Sequence, residues 1–306
     1  MPILVHFVLV LVQALMASLA IVGKVVLREL PAPVLVSLRV LGAATALVAA
    51  GWLWGRERAG TRGDLARFAL LGLLGVTLNQ TLFLVGLRHT TAINATILVT
   101  TIPVFTVLES VLTGREPASP PKLAGIALAA LGAIYLVGPD RVSLAPELAL
   151  GNGLIVLGML CYSTYLVLSK RMLERYRTLT VTRYAMLFGA LGVLPLGGYA
   201  AASADFGAVS ATTWLLTAYC VLFPTIVASF LNTWALKRVS SNLVAAYIYL
   251  QPILTVAVAP LLLAGETLTG RALVAGLAIF AGLALVIWAE RLQQRELPGV
   301  EPMVGE

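Results

Sequence analysis

The sequence predicts an all-α integral membrane protein in which ten transmembrane helices form two inverted five-helix repeats. Three observations predict it. Of 306 residues, 59% are hydrophobic and 11% charged, with a mean hydropathy of +0.95, where a soluble domain carries roughly 25% charged residues. One segment is written twice: Leu87-Arg88-His89-Thr90-Thr91 runs on to Pro103 and Gly114-Arg115-Glu116, and Leu236-Lys237-Arg238-Val239-Ser240 runs on to Pro252 and Gly265-Glu266. The leucines and the prolines are each 149 residues apart and the glutamates 150. The third observation is the placement of charge.

With a cytoplasmic N-terminus, the loops after the second, fourth, sixth, eighth and tenth spans hold fourteen Lys and Arg residues. The opposite side holds five: Lys24, Arg28, Arg88, Arg141 and Arg271. This bias predicts that both termini are cytoplasmic; the expected location is the cell (inner) membrane. One false span would break the alternation. The net charge of +7 therefore reports orientation; no basic domain gathers it, so the expected partner is the lipid bilayer and not nucleic acid.

Taken in order, the apolar spans are 3–27, 33–54, 66–87, 92–112, 121–138, 151–170, 180–200, 211–236, 240–263 and 269–289. About 20 residues at 1.5 Å each cross roughly 30 Å of hydrocarbon. The first is too long for a signal-peptide core, lacks a basic leader and has a second span close behind it, so it reads as an uncleaved helix. The second carries Arg39 early, as the seventh carries Arg183, and Lys24 and Lys170 end the first and sixth. The fifth closes residues 1–138 as one repeat, a polar connection follows over 139–150, and 151–289 is the second repeat. Five crossings are odd, so the second copy enters from the opposite face, related to the first by an axis in the membrane plane. The segment 290–306 reads as a polar cytoplasmic tail.

The ten-span layout, Arg39 in the second span, Thr90-Thr91-Ala92 entering the fourth, Pro103, and Gly114-Arg115-Glu116 before a Gly-rich helix resemble the EamA family of the drug/metabolite transporter superfamily. Ser240-Ser241, Pro252 and Gly265-Glu266 carry the same resemblance in the second copy. It spans roughly 3–289 and implies a metabolite transporter, often an exporter, of amino acids or related small amphiphiles. It further implies alternating access around a central cavity lined by helices 1, 3, 4, 6, 8 and 9, with 5 and 10 peripheral. Short loops and the absence of a Gly-x-x-x-x-Gly-Lys-[Ser/Thr] pattern leave an ion gradient, exchange or the substrate's own gradient as the drive.

Polar groups are costly in hydrocarbon, so those within spans should face a wet cavity or the bundle interior. The cavity candidates are Gln13 in helix 1; Asn79, Gln80 and Phe83 in helix 3; Asn94 and Thr101 in helix 4; Tyr162 and Tyr165 in helix 6. Helix 8 adds Ser229, Asn232 and Trp234, and helix 9 adds Tyr247 and Gln251. The alternative is that such groups join helices by hydrogen bonds worth about 0.6 to 2 kcal/mol each. Pro103 and Pro252 each remove a mid-helix bond and are read as paired hinges. Arg39 lies shallow enough to snorkel to the outer interface, Arg183 mirrors it inside, and both are read as gate or structural residues. Glu109 is the candidate proton-coupling carboxylate, with pairing to a cytoplasmic Lys or Arg as the alternative. Trp52, Trp54, Trp214 and Trp288 suit an interfacial belt.

Two cysteines within spans and two histidines supply no metal cluster or cofactor site. The rival class is a membrane-embedded enzyme acting on lipid head groups, which needs converging acids, histidines or metal ligands. A channel would need a selectivity ring usually built by several subunits. The expected ligands are a small organic solute and a proton; a monomer is compatible with this reading.

Overall fold

A computed structural model describes residues 3–54, 57–90, 95, 98–114, 119–137, 145–254 and 270–296. Its helices are α1 (Ile3–Val26), α2 (Ala32–Trp54), α3 (Arg62–Gly72, a π-helical Leu73–Leu78, then Asn79–Arg88) and α4 (Ile102–Leu112). They continue with α5 (Pro120–Val137), α6 (Ala149–Leu173), α7 (Thr178–Ala201) and α8 (Ala211–Cys220, a π-helical Val221–Val227, then Ala228–Arg238). The last two are α9, in which Ser241–Ala246 passes into a tighter turn at Tyr247–Tyr249, and α10 (Gly270–Glu296). Among the described residues, six runs are both long and apolar enough to cross a membrane: Ala32–Leu53, Arg62–Leu87, Pro146–Leu173, Thr178–Ala201, Ala211–Arg238 and Leu273–Gln293. Shorter apolar helices, among them Ile3–Leu19 and Ile102–Leu112, stand beside them.

Local chemistry sets the helix ends. Thr61, Ser210 and Ser240 cap α3, α8 and α9, each side-chain oxygen accepting from the backbone N–H three residues on, which satisfies one of the orphan donors of a first turn. Gly114 follows α4 at φ 64°, a left-handed conformation open to glycine.

Packing couples helices from the two halves of the sequence. α2 lies on α7 and α5 on α10; α3 meets α6 and α7, while α8 meets α1 and α2. α4 lies on α6 and α9. The α5–α10 contact is close because small residues face each other: a Cβ on Gly125 would come within 2.7 Å of the Gly282 carbonyl. Such approach maximises dispersion where lipid removes the hydrophobic drive between helices. Across this contact Lys122 Nζ lies 2.9 Å from Glu290 Oε2, the side chains 1% and 7% exposed, and donates to Gln293 Oε1 at 2.9 Å. The sequence reading placed Glu290 at the start of a polar tail. Instead α10 continues to Glu296, and Glu290 is buried because the ammonium of Lys122 needs a counter-charge. At the end of the connection expected over 139–150, a turn at Pro146–Leu148 leads into α6 at Ala149.

Two polar contacts tie connecting loops to helix starts. The buried Asp64 carboxylate accepts from Thr61 Oγ1 (2.9 Å), Arg67 (2.8 Å), Arg175 (3.1 Å) and Tyr176 (2.9 Å). Tyr176 in turn accepts from the Gly60 N–H at 2.9 Å, joining the α6–α7 loop to the α2–α3 loop. Elsewhere the exposed Glu29 carboxylate accepts from Ser210 N (2.7 Å) and Ser210 Oγ (3.0 Å), joining the α1–α2 loop to the start of α8.

Removing one partner of the buried pair leaves an uncompensated charge. Lys122→Met should therefore destabilise the chain by roughly 3 to 5 kcal/mol, with most of the loss recovered in Lys122→Met/Glu290→Leu; detergent thermal unfolding reads both. The bond from the Ser210 backbone N–H holds the Glu29 carboxyl below its ordinary value of 4.5. Its contribution is then complete above that ordinary value and is lost as pH falls through the lower folded-state value. Wild type should lose more melting temperature than Glu29→Gln on acidification through this window, and equal losses would refute the contact.

Candidate functional site

Along the α1–α9 contact two polar pairs form a seam. Gln251 Nε2 donates to Gln13 Oε1 at 2.7 Å, with Gln13 2% exposed. His6 Nδ1 and Tyr247 Oη lie 2.6 Å apart, their rings stacked with centroids at 6.1 Å. His6 and Gln13 are two turns apart on α1, and Gln251 follows Tyr247 by four residues, in the helical residues that continue α9 to 254. The spacing puts each pair on facing stripes.

On α4, Glu109 Oε1 meets the hydroxyls of Ser163 (2.7 Å) and Thr164 (2.9 Å) on α6. Among the described residues it has no ion pair. Its described partners are hydroxyl donors, and Arg115, a nearby cytoplasmic cation, lies outside the described residues. Below it, Ser110 Oγ lies 3.3 Å from Ser241 Oγ, closing α4 on the start of α9.

The other candidates divide. Asn79 Nδ2 donates to the Gly158 carbonyl at 3.1 Å, tying α3 to α6. Half-buried Phe83 packs in the same contact, where Gly158 leaves room beside its backbone. Gln80 lines a shallow cleft with Pro33, Ser37, Val193 and Leu196, between α2, α3 and α7, away from the seam. Tyr162 and Tyr165 are neighbours, centroids 5.6 Å apart. The Tyr165 ring fills the space over Gly75 in the π-helical part of α3, where a Cβ would collide with it. On α8, Asn232 is buried, Ser229 offers its carbonyl to Thr233 at 2.9 Å, and Trp234 carries the Arg238 guanidinium 3.7 Å from its ring centroid. Asn94, Glu116 and Glu266 lie outside the described residues.

Both hinge prolines sit beside, not within, the helix break. Pro103 occupies the first turn of Ile102–Leu112, where a missing N–H leaves no bond unmade. The break is at Thr100–Thr101: the Leu98 carbonyl accepts from Thr101 N (3.1 Å) and Thr101 Oγ1 (2.6 Å). Pro252 follows the tight turn Tyr247–Tyr249 in the same way. Without a donor at the proline, the preceding carbonyls take shorter-range partners.

The two arginines behave differently. Arg183 is 8% exposed; it donates to the Glu57 carbonyl at 2.6 Å and lies 5.0 Å over the Tyr184 ring. It reaches the loop, as a snorkelling residue does. Arg39 does not: its Nε donates to Thr225 Oγ1 at 2.9 Å, midway along the apolar run Ala211–Arg238. Thr225 is ready for it because its own hydroxyl is donated to the Cys220 carbonyl at 2.7 Å within the π turn, leaving lone pairs free. Sequence reasoning missed the π segments, Ser163, Thr164 and the role of His6. Of these only His6, seven residues before Gln13, had a usable signal in its spacing.

The helices make a multi-pass membrane protein whose spans are joined by polar pairs, and its class follows from its relatives. The profile of the EamA-like transporter family matches residues 3–138 and 149–288, and the chain belongs to that family. An uncharacterized transporter of Archaeoglobus fulgidus is 31% identical over 256 residues, 82% of this chain and 86% of its own. A probable terminal-alkyne amino-acid exporter of Streptantibioticus cattleyicolor is 31% identical over 251 residues, 81% of each chain. A protein of known crystal structure shares the fold with a TM-score of 0.78, at 21% identity, over 95% of this chain and 98% of its own.

Gln251→Leu leaves the buried Gln13 amide without its partner and should cost about 1 to 3 kcal/mol, whereas Gln13→Leu/Gln251→Leu should cost less than Gln251→Leu alone. A double-mutant cycle on detergent unfolding checks this; additive losses would mean that the two amides do not interact.

Proposed function

We propose that the chain is a secondary transporter of ten transmembrane helices in two inverted repeats, 1–138 and 151–289. In this reading it moves a small organic amphiphile, an amino acid or a close relative, outward across the cell membrane, with both termini cytoplasmic. The observation that carries the reading is that contacts between the two halves come in matched sets. α2 on α7 and α5 on α10 are self-matched contacts of a two-fold arrangement, and α3 on α6 is matched by α8 on α1. The π segments Leu73–Leu78 and Val221–Val227 fall in corresponding places of the two halves. Inverted pairs of this kind let one half rock against the other around a midplane site. The probable terminal-alkyne amino-acid exporter among the relatives favours that substrate class and direction.

The cavity lies between the halves, with the Gln13–Gln251 and His6–Tyr247 seam as one wall and Asn232 and Tyr162 on neighbouring helices. The turns before Pro103 and Pro252 are its hinges. Glu109 carries the coupling proton: two hydroxyls hold its carboxylate, and they can serve as donors to the charged form or accept from the acid.

Proteoliposome counterflow over amino acids and related metabolites tests the reading. Exchange of at least one member supports it, and turnover of a lipid substrate with no exchange sinks it. Glu109→Gln should abolish the response of uptake to an imposed pH gradient while leaving counterflow; an unchanged gradient response removes Glu109 from coupling.

A further inference from the structure

Three basic side chains within the apolar helices find a carboxylate or carbonyl oxygen. Lys122 meets Glu290, Arg183 lies on the Glu57 carbonyl and the Tyr184 ring, and Lys170 donates to the Leu236 and Val239 carbonyls at the end of α8. Arg39 makes one hydrogen bond, through Nε to Thr225. No described carboxylate or carbonyl meets its two terminal nitrogens.

Its position makes that omission consequential. Thr225 lies 14 residues after Ala211 and 13 before Arg238 in the apolar run, so the guanidinium is held at the middle of the span, where an unmatched charge is most costly. A shallow arginine could have turned outward to the interface. This one is drawn inward by a hydroxyl already oriented through its bond to the Cys220 carbonyl. In the other half Thr77, in the π segment of α3, donates to the Gly189 carbonyl of α7 at 3.3 Å, and Arg183, which mirrors Arg39, reaches the Glu57 carbonyl instead. The two crossings therefore place their arginines differently.

We propose that Arg39 is the anion-binding residue of the transport path, its two terminal nitrogens taking a carboxylate of the solute while Thr225 holds Nε. The proposal rests on the transporter reading and deepens it by assigning the substrate class: a small solute bearing a carboxylate. A planar guanidinium presents paired donors that match the two oxygens of a carboxylate, and fixing Nε orients the remaining edge. The solute then supplies the counter-charge that the protein withholds, so binding relieves an electrostatic cost carried by the empty site.

The experiment compares leucine and phenylalanine with their C-terminal amides, by thermal shift of the full chain in detergent and by proteoliposome counterflow. Wild type should favour the carboxylates on the order of 10- to 100-fold, and Arg39→Gln should erase the preference. Arg39→Lys keeps the charge without the fork and should retain only part of it. Thr225→Val keeps the guanidinium but frees it, and should raise KM for the acids with kcat little changed. The last two variants carry the same readout if Arg39→Gln does not fold. Equal response of wild type to acid and amide, or an unaltered preference in the Arg39 variants, overturns the proposal. Exchange without acid-over-amide preference refutes Arg39 alone, and no exchange of any panel member refutes the transport reading with it.

Discussion

Inside hydrocarbon no water is present to complete a hydrogen bond, and the arrangement of these helices follows from that constraint. Each polar side chain within a span must find its partner on another helix or on its own backbone. Asn79 finds the Gly158 carbonyl, Gln251 finds Gln13, Glu109 finds Ser163 and Thr164, and Lys122 finds Glu290. Every one of these joins elements distant in sequence. Apolar faces alone would let the helices slide and rotate, since leucine packs as well on lipid as on leucine. The polar pairs fix rotation and register, and glycines such as Gly125, Gly158 and Gly282 let the backbones come close enough for the bonds to form.

The same constraint relaxes at the helix ends, and there the two halves differ. Thr61 caps α3 and Ser210 caps α8, each accepting from the residue three on, Asp64 or Thr213. Thr61 and Ser210 are equivalent across the duplication, as are Asp64 and Thr213, and each cap receives a charged residue from a loop of the other half. At Asp64 that residue is Arg175, with Tyr176 and Arg67 beside it. At Ser210 it is Glu29, with no opposing charge. One end is closed by a buried carboxylate with four donors, the other by an exposed carboxylate on a helix start. Exposed contacts of the second kind are worth little, so the two ends are tied with unequal strength.

What was legible in the sequence follows from the same physics. Apolar length announces a span without reference to any neighbour, so the helices and the polar residues within them could be read directly. Gln13 and Gln251 were both recognised as interior polar groups, although nothing local says that they bond to each other. The fate of Glu290 was not legible: among Arg291, Arg295 and Glu296 it looks like the start of a tail, and only the close α5–α10 packing brings Lys122 to it. The π segments were hidden too. Leu73–Leu78 has no unusual residue, and the Pro224 of Val221–Val227 would read as a simple kink. The reach of Arg39 depends on which helix crosses α2, and at what height, which are properties of the assembled bundle.

The family profile matches the chain twice, over 3–138 and 149–288, so features common to both segments can be separated from those present in one. Hydroxyl caps at the starts of α3 and α8, a π segment in each of those helices, and a turn before each proline occur in both. The divergences are few and polar. Glu109 faces hydroxyls on α6, the α1–α9 contact carries amide, imidazole and phenol pairs, and Arg39 stands at the α2–α8 crossing where Thr77 and the Gly189 carbonyl close the other. A π turn adds a residue without ending the helix, leaving carbonyls whose partners are displaced by one position. Thr225 uses one such carbonyl and thereby becomes the acceptor for Arg39. The irregular backbone is what permits a cation at mid-span to be held in one orientation, and an oriented cation, unlike a mobile one, can select the geometry of what it binds.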